Sequence, residues 1–163
     1  MNIFIKRRFC ILFVFALLLL AGCKKEMPSD FSFYAEFGLA RSIKVNSSTG
    51  TYIFNPGNKQ DSVIMKLNFS KQELEKIWKL IYRNKLTEFD SYYIPKDKYQ
   101  VSPDESYFLQ YTINGTNYEI KWEIYTSAKD LKSKKLRSIF TKIAEIASKD
   151  PNIAKLKYSF EPY

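Results

Sequence analysis

The chain has no histidine, only two cysteines and only five glycines in 163 residues. Without His it lacks the side chain most used for acid–base work near neutral pH and the one most used to hold metals. Gly38, Gly50, Gly57 and Gly115 lie far apart, which excludes a glycine-rich loop cradling phosphates. Acids are few, 17 against 26 Lys and Arg, and none falls in the spacing of a calcium loop. A serine nucleophile would have to use lysine as its base, and no Ser-x-x-Lys occurs. What is present suits one globular domain: 45% apolar residues, 17% aromatic, and a length typical of a single core.

The apolar residues are unevenly spread. Lys6, Arg7 and Arg8 precede an unbroken apolar run from Phe9 to Ala21, 13 residues in all. A spanning helix needs ~20, whereas a secretory signal uses about 7–15. The run closes on Leu20-Ala21-Gly22-Cys23, which resembles the lipobox of bacterial lipoproteins. That resemblance implies cleavage between Gly22 and Cys23 and acylation of the Cys23 thiol, with palmitate among the chains. Cys10 would leave with the signal, so the mature chain keeps no disulfide and no free thiol. Loss of Lys6, Arg7 and Arg8 takes the formal charge from +9 to +6 over 141 residues. Two or more acyl chains hold a protein stably. The expected partner is thus a bilayer reached through Cys23, outside the cytoplasm. That means an outer membrane or cell surface in a diderm cell, and the outer face of the plasma membrane in a monoderm one. Residues 1–22 are the signal, 23–30 the lipidated Cys and a short tether without periodicity, and 31–163 a single domain.

Within that domain Phe31, Phe33, Ala35 and Phe37 alternate with Ser32, Tyr34 and Glu36, the pattern of a half-buried strand. Short strands follow around Ile43–Val45, over 51–54, and from Val63 through Phe69, as an antiparallel meander. Ser70 and Glu73 form a capping box, and Leu74, Ile77, Trp78, Ile81 and Tyr82 make a helical stripe ending near Asn84, expected as a left-handed cap. Asn114-Gly115 predicts a two-residue hairpin pairing Tyr111 with Tyr118, Leu109 with Ile120 and Tyr107 with Trp122. Its other face pairs Phe108 with Lys121, Gln110 with Glu119 and Thr112 with Asn117. A second helix, capped by Ser127 with Asp130 three residues on, runs to Asp150-Pro151. Leu156, Tyr158 and Phe160 suggest a last edge strand. The expected fold is α+β, an antiparallel sheet with two helices packed on one face.

Two segments are candidate binding sites. Residues 85–103 form a long stretch without periodicity, carrying Tyr92, Tyr93, Lys96 and Tyr99 as a candidate binding loop; equally, Phe89, Tyr92 and Ile94 could cover the sheet as an irregular edge strand. The second helix carries Lys132, Lys135, Arg137 and Lys142 as candidate contacts to an anionic lipid, polysaccharide or protein partner. An extracytoplasmic location argues against nucleic acid. Glu119 and Glu123, two pleats apart with Lys121 between them, are ~13 Å apart, beyond the reach of paired glycosidase carboxylates.

The mature domain resembles small bacterial lipoproteins. The likeness rests on the aromatic meander, Leu67-x-Phe69-Ser70-x-x-Glu73-Leu74-x-x-Ile77, Pro103-x-x-x-Tyr107, Tyr111-Thr112-Ile113-Asn114-Gly115 and the Lys-rich helix. These motifs are structural and bring no activity with them. The expectation is a non-catalytic, membrane-anchored binding domain of the cell envelope, with no cofactor and no metal. The alternative is a carboxylate-dependent hydrolase of envelope or imported polysaccharide.

Overall fold

The computed structural model describes residues 25–38, 41–55, 62–95, 105–124 and 130–156. Strands β1 (Ser32–Phe37), β2 (Ile43–Asn46), β3 (Thr51–Phe54) and β4 (Val63–Lys66) form the expected meander. Helix α1 (Lys71–Arg83) follows, then a 3-10 turn (Leu86–Glu88) and the two-residue β5 (Tyr92–Tyr93). The long hairpin β6 (Glu105–Ile113) and β7 (Thr116–Ile124) leads to α2 (Leu131–Ala147) and the short α3 (Pro151–Lys155). The seven strands make one sheet in the order β4-β3-β2-β1-β6-β7-β5, antiparallel except where β5 runs parallel to β7. The fold is α+β, as expected.

The hairpin register follows from its turn. Asn114 and Gly115 both have positive φ, 50° and 73°, which a two-residue turn matched to the strand twist demands. All six expected cross-strand pairs form. Period-two alternation then puts Phe33, Ala35, Phe37, Leu109, Tyr111, Ile120 and Trp122 on one face, all buried beneath α1 and α2. Aromatic rings bind the layers. Phe140 of α2 lies 5.8 Å from Phe37 and 4.9 Å from Tyr107, and Trp78 of α1 lies 5.8 Å from Phe31. Burying one such ring is worth about 1.5–3 kcal/mol.

Helix ends differ in three places from the expectation. The capping box at Ser70 and Glu73 is present. Asn84, however, keeps right-handed angles (φ −81°) and hands the positive φ to Lys85, at 54°. Its side chain is otherwise employed, donating to the Ser138 hydroxyl at 3.2 Å and the Lys135 carbonyl at 3.5 Å. For α2 the cap is Asp130, not Ser127, because the Asp130 carboxylate accepts from both the backbone N–H and the hydroxyl of Ser133. Ser127 lies outside the described residues. Finally, α2 stops at Ala147, and Asp150-Pro151 opens α3 with proline in the first turn, where its missing N–H is harmless. Leu156 caps α3 and is not part of a strand; Tyr158 and Phe160 lie outside the described residues.

Residues 27–30, expected as a tether, lie against the domain. Met27 packs on the core. The Asp30 carboxylate accepts from the backbone N–H groups of Asn114 (3.0 Å) and Gly115 (2.6 Å), which holds its pKa below the ordinary value. Lys25 Nζ sits 5.2 Å from the centre of the Tyr82 ring on α1. The N-terminal segment is thus fixed both to the hairpin tip and to the helix layer.

Candidate functional site

The helices cover one face of the sheet, and no described element covers the other. Residues in register share a face, so a single row crosses all seven strands: Ile64, Ile53, Lys44, Glu36, Phe108, Lys121 and Tyr92. At ~4.8 Å between strands the row spans roughly 30 Å. Its two ends are apolar and exposed, Ile64 by 68% and Tyr92 by 48%. Its centre is charged and ordered.

That centre is built around Glu36. Alternation along β1 turns Tyr34 and Glu36 outward together, and the Tyr34 hydroxyl donates to Glu36 Oε1 at 2.5 Å. Arg41 Nη1 reaches Oε2 at 3.3 Å and Lys44 Nζ reaches Oε1 at 3.5 Å. Arg41 also donates through Nε to the Ser106 hydroxyl on β6 at 2.8 Å. The Phe108 ring meets Tyr34 edge-on, 6.1 Å between centres. Under these neighbours the Glu36 side chain is only 15% exposed. Burial pushes its carboxyl pKa up, but the Tyr34 hydroxyl, Lys44 and Arg41 together bring it below the ordinary value. Burial, aided by Glu36, raises the Tyr34 phenol well above a normal tyrosine. Both groups are held in one protonation state through the neutral range, Glu36 ionised and Tyr34 neutral. Two cations around one carboxylate leave the cluster with an excess positive charge.

The residues singled out in the sequence are distributed differently. Tyr92 and Tyr93 form β5, so the edge-strand alternative describes that part of the segment, and their side chains point to opposite faces. Tyr92 is on the open face, with Lys121 Nζ 5.4 Å from its ring centre. Tyr93 turns inward and donates to the Asp130 carboxylate at 2.6 Å. A single contact surface cannot contain both. Lys96 and Tyr99 lie outside the described residues, as do Gly22 and Cys23. Lys132 pairs with Asp90 at 3.3 Å and overhangs the Phe89 and Tyr93 rings. Lys142 pairs with Glu145. Lys135 shares a flank of α2 with these two, whereas Arg137 is about 140° around the helix from Lys142 and sits over Trp122 at 5.9 Å. Lys121 pairs with Glu123 at 3.7 Å, the charge ladder its spacing suggests.

Sequence reasoning missed the Glu36 cluster as a site. Alternation already placed Tyr34 and Glu36 on one face and Phe108 with Lys121 on another. The pairing of β1 with β6 that joins those faces has no local signal. Elsewhere, an apolar pocket of about 210 Å³ between β1, β3, α2 and α3 is lined by Phe37, Tyr52, Ala147, Ile153 and Leu156. That is below the ~300–1,000 Å³ of ordinary small-molecule sites. Among the described residues no group of three or more His, Cys, Asp or Glu could hold a metal, and no helix is long and apolar enough to cross a membrane. No protein-family model matches the chain, and no curated protein matches it either.

Proposed function

We propose that the chain is a lipid-anchored, non-catalytic binding domain of the cell envelope that engages its partner through the open face of the sheet. The observation that carries this reading is the Glu36 cluster: an ordered set of charges and aromatic rings on a sheet face that no described element covers. Exposed apolar residues at both ends and fixed polar groups between them suit recognition of a polar polymer or protein surface. The protonation states favour binding over acid–base chemistry. An ionised carboxylate already holding three donors is a poor proton acceptor, and a phenol with a raised pKa stays protonated and is a poor proton donor. The lipobox supplies the anchor and the extracytoplasmic location.

Two experiments test the reading. A photo-crosslinking side chain at Gln110, exposed beside the cluster, should give a discrete adduct in intact cells that Arg41→Ala or Phe108→Ala abolishes while the fold is retained. Adducts indifferent to both substitutions would refute the open face as the binding surface. Cys23→Ala should release the chain from membranes; unchanged retention would refute the lipid anchor.

A further inference from the structure

The two faces of the domain differ in charge as well as in cover. Helices α1 and α2 carry nine Lys and Arg against three Glu, whereas on the open face Arg41, Lys44, Lys66 and Lys121 stand nearly balanced by Glu36, Glu119 and Glu123. Antiparallel packing brings the end of α1 beside the start of α2, as the Asn84 contacts to Lys135 and Ser138 show. At that shared end Arg83, Lys134 and Lys135 have no carboxylate partner among the described residues. Two large apolar side chains are exposed there, Tyr82 by 48% and Leu131 by 69%. Tyrosine and leucine flanked by unpaired cations are the composition of a bilayer interface contact.

The N-terminal segment arrives at the same place. Lys25 lies against Tyr82, and covalent geometry allows at most roughly 7 Å between the Cα atoms of residues 23 and 25. A headgroup layer is roughly 5–8 Å thick. With Asp30 and Met27 clamped to the domain there is no slack to hold it away from the surface. Accepting the lipid anchor, on which this step rests, we propose that the end of the helix layer bearing Tyr82, Arg83, Leu131, Lys134 and Lys135 docks on the anionic headgroups of the anchoring bilayer. Docking by that end leaves the Glu36 face of the sheet, opposite the helices, uncovered by the bilayer.

Single cysteines supply the test, because Cys10 is lost and Cys23 is blocked in the acylated chain. The full chain, produced in cells and checked for acylation by mass spectrometry, carries a fluorophore at Leu131→Cys or Gln110→Cys. It is reconstituted in phosphatidylcholine vesicles with or without phosphatidylglycerol, with a headgroup-attached quencher. Quenching should be strong at position 131 and weak at 110 on anionic vesicles, and the contrast should fall on neutral ones. Removing each cation by Arg83→Gln, Lys134→Gln or Lys135→Gln should lower the docked-to-undocked ratio about fivefold. Equal quenching at both positions, or a contrast indifferent to phosphatidylglycerol, overturns the docking while leaving the anchor intact. A chain with Cys23 unmodified overturns the anchor, and the docking with it.

Discussion

Replacing Glu36 with Gln keeps the shape of the side chain and removes the charge that Tyr34, Arg41 and Lys44 share. The amide has one acceptor oxygen where the carboxylate has two. It can satisfy the Tyr34 hydroxyl or the Arg41 guanidinium but turns an N–H toward the other. Hydrogen bonds to charged groups are worth about 1.5–3 kcal/mol when sheltered, and exposed ion pairs about 0.2–1 kcal/mol. Arg41 and Lys44 are half-exposed, so the expected loss at pH 7 is about 1–2 kcal/mol, or ~3–8 °C in Tm. The pH dependence discriminates further. The folded-state pKa of Glu36 is depressed, so its contribution is fully present above the unfolded carboxyl pKa and is lost as pH falls through the folded one. Urea unfolding from pH 7 down to about pH 2.5 should therefore show wild type and Glu36→Gln converging at the acid end. With the carboxylate gone, the Tyr34 phenol should also titrate at lower pH, visible in its ring resonances. A stability difference independent of pH, or none at pH 7, would refute the cluster as an ion-paired unit.

Three further substitutions probe the framework. The Tyr111 hydroxyl is buried without a hydrogen-bond partner among the described residues, so Tyr111→Phe should stabilise the fold by ~1 kcal/mol in thermal unfolding. That gain should widen above pH ~10, because burial raises the Tyr111 pKa and ionisation then favours the unfolded chain. Gly50 has φ +63° and an added Cβ would lie 2.4 Å from Asn68 Oδ1; Gly50→Ala should cost ~1–2 kcal/mol, and adding Asn68→Ala should restore the steric share but not the backbone share. Asp130→Ala removes the cap of α2 and the Tyr93 contact, and should lower stability by ~1–2 kcal/mol in denaturant titrations. A neutral result would assign the start of α2 to packing alone.

Features set by neighbours in sequence were legible; those set by distant partners were not. Asn114-Gly115 fixes the hairpin because only residues tolerating positive φ close a two-residue turn, and Ser70 with Glu73 fixes the start of α1 within one turn. Sequence spacing places the cap of α2 at Ser127, whereas Asp130 takes that place through Ser133 and through Tyr93, which lies 37 residues away. Asn84 and Lys85 likewise exchange roles because Asn84 finds partners on α2. The Glu36 cluster needs Arg41 from a turn and Ser106 from a strand 65 residues on. No periodicity connects them.

The position of β1 in the middle of the sheet has a consequence for how the chain acquires its structure. Ser32 pairs with Thr112, 80 residues later, whereas β2, β3 and β4 pair with their immediate neighbours in sequence. A chain emerging amino-terminus first can complete the meander and α1 early, yet one edge of β1 must wait, unpaired, until the hairpin arrives. Such an edge invites pairing with other chains, and closing so long a loop is expected to make the β1–β6 junction the slow step of folding. Substitutions that speed formation of the Asn114-Gly115 hairpin should therefore raise the yield of native protein more than equal stabilisation of the meander.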